Sequence, residues 1–195
     1  MYFGPLARRV GEGALAVPSE ATVGPVGALA EGAVIARSAL VLGSDGRPAQ
    51  LVPDSNDEAE LRNPPVGSNG AYLWEPDGAV IRAGLLGTLA RKIGAHTIDD
   101  SIAYLSSDDA SRAALDSPLA RAFRVREVMP FTTKKIAARL RELEVGTLEV
   151  KKRGMDIDPA RFRSELKLDR RAPRAATLIA TRAGGSRVAI IAEPC

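Results

Sequence analysis

The feature that most constrains the fold is a regular alternation of strand and helix signals over about the last 75 residues. The run RAFRVREVM alternates apolar and polar side chains, which predicts a β-strand. Thr132 or Thr133 then caps a helix, and Gly146 is predicted to end it. The run TLEVKKRG predicts the strand that follows this helix.

A second helix and a hairpin complete this pattern. Asp158 is a good N-cap, and Pro159 stands at the first helical position, where its missing N–H costs nothing. The runs ATLIATR and RVAIIAE flank residues 183–186, whose two glycines predict a hairpin turn. The predicted order is therefore β-α-β-α-β-β, and an α/β sheet with helices on one face is the natural packing for it.

The preceding segment predicts a long buried helix. Asp77 caps it, its apolar side chains form a broad face as far as about Ile93, and Gly94 ends it. A short segment at His96–Ile98, the run SIAYL and a loop with one helical turn are expected between this helix and the C-terminal pattern.

The first 70 residues have a different character. Residues 1–42 predict short strands, and Asp45-Gly46 lies where a hairpin turn is expected. Of the 28 residues in 43–70, 17 are Gly, Pro, Ser, Asn or Asp, which predicts a long loop or linker. The sequence thus predicts two parts: a small β-rich adjunct over 1–70 and an α/β domain over 71–195.

Composition excludes several classes of protein. Hydrophobic residues make up 45% of the chain, which excludes disorder over its full length. No stretch of about 18 residues is apolar and free of charge, and the N-terminus lacks the pattern of a secretory signal, so no membrane partner is expected. The single cysteine, Cys195, excludes an internal disulfide and fits a cytoplasmic protein.

Charge is divided unevenly along the chain. Residues 1–118 carry 9 Lys and Arg against 15 Asp and Glu, whereas residues 119–195 carry 18 against 9. The C-terminal part is therefore strongly basic and favours a polyanionic partner, although an ordinary solvated surface would have the same composition.

The sequence offers little support for metal binding or for nucleophilic catalysis. One histidine and one cysteine cannot form a zinc site within a chain, and no loop has the spacing of a calcium-binding loop. His96 has no Ser or Cys partner in a recognisable setting, and Cys195 lacks a fixed base, so both are predicted to be non-catalytic. No catalytic residue and no metal site are predicted.

Basic side chains form the strongest candidate for binding. Lys151, Lys152 and Arg153 end a strand, and alternation sends Lys151 and Arg153 to one face and Lys152 to the other. Lys134 and Lys135 lie in the first turn of a helix, where the helix dipole disfavours cations. These five residues are the predicted contacts to the phosphates of an anionic partner; the alternative is a solvated, lysine-rich face.

The segment YLWEPDGAVIRAG is the most unusual stretch. A capped, buried helix with Trp74 packed beside it accounts for Asp77 and the apolar residues, but it leaves Glu75 without a role. Asp77 and Arg82 are five residues apart, slightly out of register for a helical ion pair.

This segment, together with EVKKRGMDIDPARFRSELKL and ATLIATRAGGSRVAII, resembles the C-terminal THUMP-like region of bacterial class I S-adenosylmethionine-dependent methyltransferases. The resemblance is tight from about Ala71 to Ala192. It marks Trp74, Glu75, Asp77 and Arg82 as a family motif without an assigned role. In that family a methyltransferase domain precedes this region, and its cofactor and catalytic motifs are not found here, so the chain resembles a fragment or a truncated product.

The resemblance implies RNA as substrate class, with tRNA or rRNA as partner, and S-adenosylmethionine as the cofactor of the full-length proteins. No cofactor is expected in this chain. The preferred hypothesis is a module that binds RNA and presents it to a methyltransferase domain. The alternatives are methyl transfer with a cofactor site supplied by another chain, and a docking domain for the catalytic half.

Overall fold

A computed structural model describes residues 37–53, 63–113 and 117–195. All of them belong to a compact unit that spans residues 35–195. The strand and helix order confirms the predicted α/β class. The strands are β1 (Ala39–Leu42), β2 (Pro48–Leu51), β3 (Tyr72–Pro76), β4 (His96–Asp99), β5 (Ile102–Ser107), β6 (Ala120–Pro130), β7 (Val145–Lys152), β8 (Arg174–Ala183) and β9 (Ser186–Pro194). The helices are α1 (Gly78–Arg82), α2 (Leu86–Ile93), α3 (Ala110–Ala113), α4 (Thr133–Glu142) and α5 (Pro159–Glu165).

The strands β1 and β2 form the predicted hairpin, with Gly46 at φ 81° in its turn. The strand β2 lies inside 43–70, so the prediction of a continuous loop there is wrong at these residues. Ala39 and Leu51 are buried in the same cluster as Trp74. The hairpin therefore shares a core with the predicted second domain. The strands predicted before residue 37 lie outside the described residues.

The long helix predicted after Asp77 is interrupted. Asp77 caps α1 as predicted, because its Oδ1 accepts a hydrogen bond of 2.7 Å from the backbone N–H of Ala79. The chain then breaks at Gly84, which adopts φ 69°, and α2 continues to Gly94 at φ 63°. Glycine tolerates positive φ at both positions, but the sequence predicts a helix end only at Gly94.

The C-terminal order β6-α4-β7-α5-β8-β9 agrees with the prediction. Asp158 caps α5 by accepting from the N–H of Arg161 at 2.7 Å. The predicted role of Gly146 is wrong: α4 ends at Glu142, and Glu144 takes the left-handed conformation at φ 57°. Gly146 lies in β7, where a Cβ atom would collide with the carbonyl oxygen of Ala172.

Seven strands form one sheet in the order β4-β5-β3-β6-β9-β8-β7. Within this sheet only β7 and β8 are parallel neighbours. The strand β9 is antiparallel to both β6 and β8, so β6 runs in the same direction as β8 and β7. The strands β6, β7 and β8 therefore end at the same edge of the sheet.

The helices cover one face of this sheet. Side chains of α4 and α5 pack on β7, β8 and β9, and those of α1 and α2 pack on β3 and β5. Because side chains alternate along a strand, the residues between them point to the other face. There they form a third buried cluster that contains Leu73, Tyr104, Phe123, Ile179 and Ile190.

The helix-free face is concave. The turn between β8 and β9 reaches β4, which lies five positions away from β8 in the sheet order. Gly184 donates its N–H to the carbonyl of Ile98 at 2.9 Å, and Gly185 donates to Oδ2 of Asp99 at 2.8 Å. These bonds hold the two ends of the sheet together over the third cluster.

No helix within the three described ranges is long and apolar enough to cross a membrane.

Asp99 makes this closure dependent on pH. Asp99 is buried, with 4% of its surface exposed, and the hydroxyl of Ser101 donates a hydrogen bond of 2.6 Å to Oδ1 of Asp99. That hydrogen bond is the main cause that lowers the pKa of Asp99, and the N–H of Gly185 acts in the same direction. A carboxyl whose pKa is lowered by folding stabilises the fold above its unfolded pKa of about 3.9, and it loses that contribution as pH falls through its folded pKa.

We predict that Asp99→Asn lowers the free energy of unfolding by about 1–3 kcal/mol at pH 7, since one acceptor is replaced by an amide N–H₂. The difference from wild type should shrink as pH falls below about 4. Urea denaturation at several pH values measures both effects. Asp100→Asn, at the exposed neighbouring carboxyl, is the control. Equal losses in the two variants would contradict this role for Asp99.

Candidate nucleic-acid interface

A half-buried ionic cluster centres on Glu75, the residue that the sequence left without a role. Nζ of Lys151 donates to Oε2 of Glu75 at 2.8 Å, and Nη2 of Arg153 lies 4.0 Å from Oε1. The side chains of Lys151 and Glu75 are only 19% and 23% exposed. At such burial a charge needs its partner, because water screens and solvates it incompletely.

Strand alternation and sheet curvature together bring these groups into contact. Lys151 and Arg153 lie on the concave face, as the alternation of β7 predicted, while Lys152 points to the other face. Glu75 lies two residues after Leu73 in β3, so its side chain points to the same face of the sheet as Leu73, a member of the third cluster. Because β7 curls over β3, residues 76 positions apart in the chain form a direct ion pair.

Aromatic rings line the same cluster. Cζ of Arg153 lies 5.0 Å from the ring centroid of Tyr104, and Nζ of Lys151 lies 5.6 Å from that of Phe123. These are cation–π distances. The hydroxyl of Tyr104 is 3.5 Å from Glu75 Oε1. Burial, followed by the charge of Glu75, raises the pKa of Tyr104, so its phenol stays protonated and acts as a donor.

A polar cavity of about 290 Å³ opens beside Glu75. Its walls include Asp77, Gly78, Arg121 and Arg153. The guanidinium of Arg121 also stacks on Phe123, with Cζ 5.1 Å from the ring centroid. We call residues 75–78 the EPDG segment. The cavity thus joins this segment to Arg153, one of the predicted basic residues.

The other two motif residues lie elsewhere. Trp74 points into the helix-covered core and donates from Nε1 to Oγ of Ser107 at 3.2 Å, so its role is packing. Arg82 lies at the end of α1 with its guanidinium next to Gly78, where a Cβ atom would come within 2.7 Å of Nη1. The motif therefore combines a packing residue, Trp74, with two residues that line the cavity, Glu75 and Asp77. Arg82 lies outside the cavity lining.

The remaining predicted cations lie along the edge of the sheet where β6 and β7 end. We call Lys134, Lys135 and Lys152 the lysine edge. All three are exposed; Lys152 donates to the carbonyl of Ile157 at 2.6 Å. Lys134 and Lys135 make no hydrogen bond or ion pair with any residue that the structure describes. The five predicted phosphate contacts thus divide into three exposed lysines and two cations that neutralise Glu75.

Neither His96 nor Cys195 is placed for catalysis. Nε2 of His96 lies 2.6 Å from the carbonyl of Ser68, a contact that ties a loop to β4. Burial raises the pKa of the Cys195 thiol, which is the opposite of what an activated nucleophile requires. Across the described ranges, no group of three or more His, Cys, Asp or Glu could hold a metal ion.

Sequence reasoning missed Tyr104, Phe123 and Arg121 as members of the cluster. The alternation of β6 does place Arg121 and Phe123 on one face. Their proximity to Lys151 depends on the curl of the sheet, and no local pattern signals it.

Comparison with known proteins identifies the class of this domain. Residues 120–194 match the family described as THUMP domain-like. Two Mycobacterium tuberculosis proteins, from strains CDC 1551 and H37Rv, are both called uncharacterized S-adenosylmethionine-dependent methyltransferases. Each is 34% identical over 165 residues, which is 84% of this chain and 42% of the relative. The resemblance stated from the sequence is thereby confirmed.

The chain spans about two fifths of the length of these curated relatives. A crystal structure of a putative methyltransferase from Porphyromonas gingivalis W83 has the same fold over 76% of this chain and 35% of its own, with a TM-score of 0.56 and 22% identity.

We predict that Glu75→Gln lowers the free energy of unfolding by about 1–3 kcal/mol, because Lys151 and Arg153 lose their anionic partner in a half-buried position. Glu149→Gln is the matched control: Glu149 is 3.8 Å from the same Lys151 ammonium but its side chain is 48% exposed. Its loss should be below about 1 kcal/mol. Urea denaturation measures both, and comparable losses would contradict the central position of Glu75.

Proposed function

We propose that this chain is the RNA-holding part of an S-adenosylmethionine-dependent methyltransferase and is not catalytic alone. It holds tRNA or rRNA by its phosphates and presents a base to a methyltransferase domain. The observation that carries the proposal is the lysine edge, a group of three exposed cations on a THUMP-like domain. The names of the Mycobacterium tuberculosis relatives support the association with methyl transfer.

The position of Lys134 and Lys135 argues for an anionic ligand. The N-terminal end of a helix carries a partial positive charge, so two cations in its first turn are destabilising. A phosphate group placed there would neutralise the lysines and accept hydrogen bonds from the unpaired N–H groups of α4. Such contacts position RNA without reading its sequence.

Lys151 and Arg153 have a different role in this proposal. Glu75 neutralises part of their charge, and both side chains are half-buried. They shape the cavity beside the EPDG segment, and Lys152 is the member of the run that meets the backbone of RNA. S-adenosylmethionine is assigned to the methyltransferase domain, and no cofactor is assigned to this chain.

The salt dependence of tRNA binding tests the proposal. Each phosphate contact that is removed lowers the slope of log K against log salt concentration by about 0.7–0.9. We predict that Lys134→Gln/Lys135→Gln lowers the slope by about 1.5 in titrations of labelled bulk tRNA. Arg91→Gln/Lys92→Gln is the control, because it removes the same charge from two exposed, consecutive residues of α2.

The control variant should retain the slope of the wild type. Equal slopes for all three proteins, or no tRNA binding at low salt, would overturn the assignment of the lysine edge.

A further inference from the structure

A second cleft, unrelated to the lysine edge, lies between α4 and the strands β6, β8 and β9. It has a volume of about 280 Å³. It lies near the start of β7 and β8, at Val145 and Arg174, whereas the lysine edge lies where β6 and β7 end. The two features thus occupy opposite edges of the sheet.

A β-bulge directs an arginine into this cleft. The register between β6 and β9 shifts between Val125 and Glu127, which makes Arg126 the extra residue of β6. Its Nη2 donates to Oε2 of Glu193 at 2.6 Å. Bulges often re-aim a side chain beside a functional site. The residue opposite Glu193 in the register is Arg124, two positions before the bulged arginine.

Arg126 pairs directly with the carboxylate of Glu193, and two further arginines act on it through their charge. The hydrogen bond from Arg126 is the main cause that lowers the pKa of Glu193, and the charges of Arg124 and Arg174 lower it further. Arg124 and Arg174 are exposed, and their side chains donate no hydrogen bond to any residue in the described ranges. At this end the cleft is lined by Arg126 and Arg174 against Glu193, which gives one more cation than anions.

Away from Glu193, the cleft has an ion-paired wall and an apolar floor. On the α4 wall, Arg139 is satisfied by two acids: it lies 2.6 Å from Glu127 and 2.9 Å from Glu142. The floor between the walls is apolar and includes Ala175, Ala176 and Ile191. Ligand pockets in proteins likewise combine apolar surface with a few placed polar groups.

We propose that this cleft binds one nucleotide unit, with the phosphate held by Arg174 and the base lying on the apolar floor. Guanidinium groups suit this task because they hold phosphate through paired N–H donors. The unit is either a free mononucleotide or part of an RNA strand. Binding of either ligand in the cleft does not require the lysine edge.

Calorimetric titration at low salt tests the cleft with two probes, adenosine 5′-monophosphate and a five-residue oligoadenylate. Arg174→Gln should weaken binding about tenfold, since a charge-assisted hydrogen bond is lost. Arg163→Gln, which removes an exposed cation of α5, is the matched control and should leave binding unchanged. Because neither side chain has a hydrogen-bond partner in the described ranges, both variants should fold, which urea denaturation verifies.

A third variant separates a ligand site from a structural ion-pair network. Glu193→Gln removes the negative charge near Arg126 and Arg174 that would repel a phosphate, so it should strengthen binding. Loss of affinity for both probes in Arg174→Gln supports recognition of the nucleotide unit. Loss for the oligoadenylate alone, or for the mononucleotide alone, supports the site and identifies the source.

Three results would overturn the proposal: no binding of either probe, equal affinities in Arg174→Gln and Arg163→Gln, or weaker binding in Glu193→Gln. None of them bears on the lysine edge. If the cleft fails these tests, a lower salt slope for tRNA in Lys134→Gln/Lys135→Gln would still support the RNA-holding role. If the cleft binds the probes but the slope is unchanged, the cleft is supported and the assignment of the lysine edge is overturned.

Discussion

The closure of the seven-stranded sheet is the constraint on which the rest of this structure depends. Two N–H groups of the β8–β9 turn, at Gly184 and Gly185, bond to Ile98 and to the Asp99 carboxylate at the far end of the sheet. A flat sheet would leave the concave cluster around Phe123 and Tyr104 open to water. Curvature buries it without a covering helix, and it also brings the end of β7 over β3 and β5.

The electrostatics of the basic C-terminal part follow from this geometry. Lys151, Lys152 and Arg153 are consecutive, yet the fold gives them different tasks. Lys151 and Arg153 turn inward to Glu75 and to aromatic rings, whereas Lys152 stays at the surface with Lys134 and Lys135. A cation that is half-buried against a carboxylate presents little charge to a polyanion. An exposed lysine at a helix N-terminus keeps all of its charge.

Local signals predicted much of the fold because their causes are local. Asp158 and Pro159 start α5, and the glycines at 184 and 185 make the β8–β9 turn, since capping and positive φ depend on a few neighbouring residues. The same reasoning was wrong at Gly146, whose lack of a side chain serves a close approach to Ala172. It also missed the break at Gly84, because the apolar pattern continues across it.

The sequence by itself determined the α/β class, the order of the C-terminal elements, the resemblance to THUMP-like domains and the two faces of β7. These follow from spacings of a few residues and from alternation along a strand. Only the tertiary structure decided which charges meet. Glu75 and Lys151 pair across 76 residues, and Arg126 meets Glu193 because of a bulge. Such contacts depend on sheet curvature and register, which arise from the packing of the whole domain.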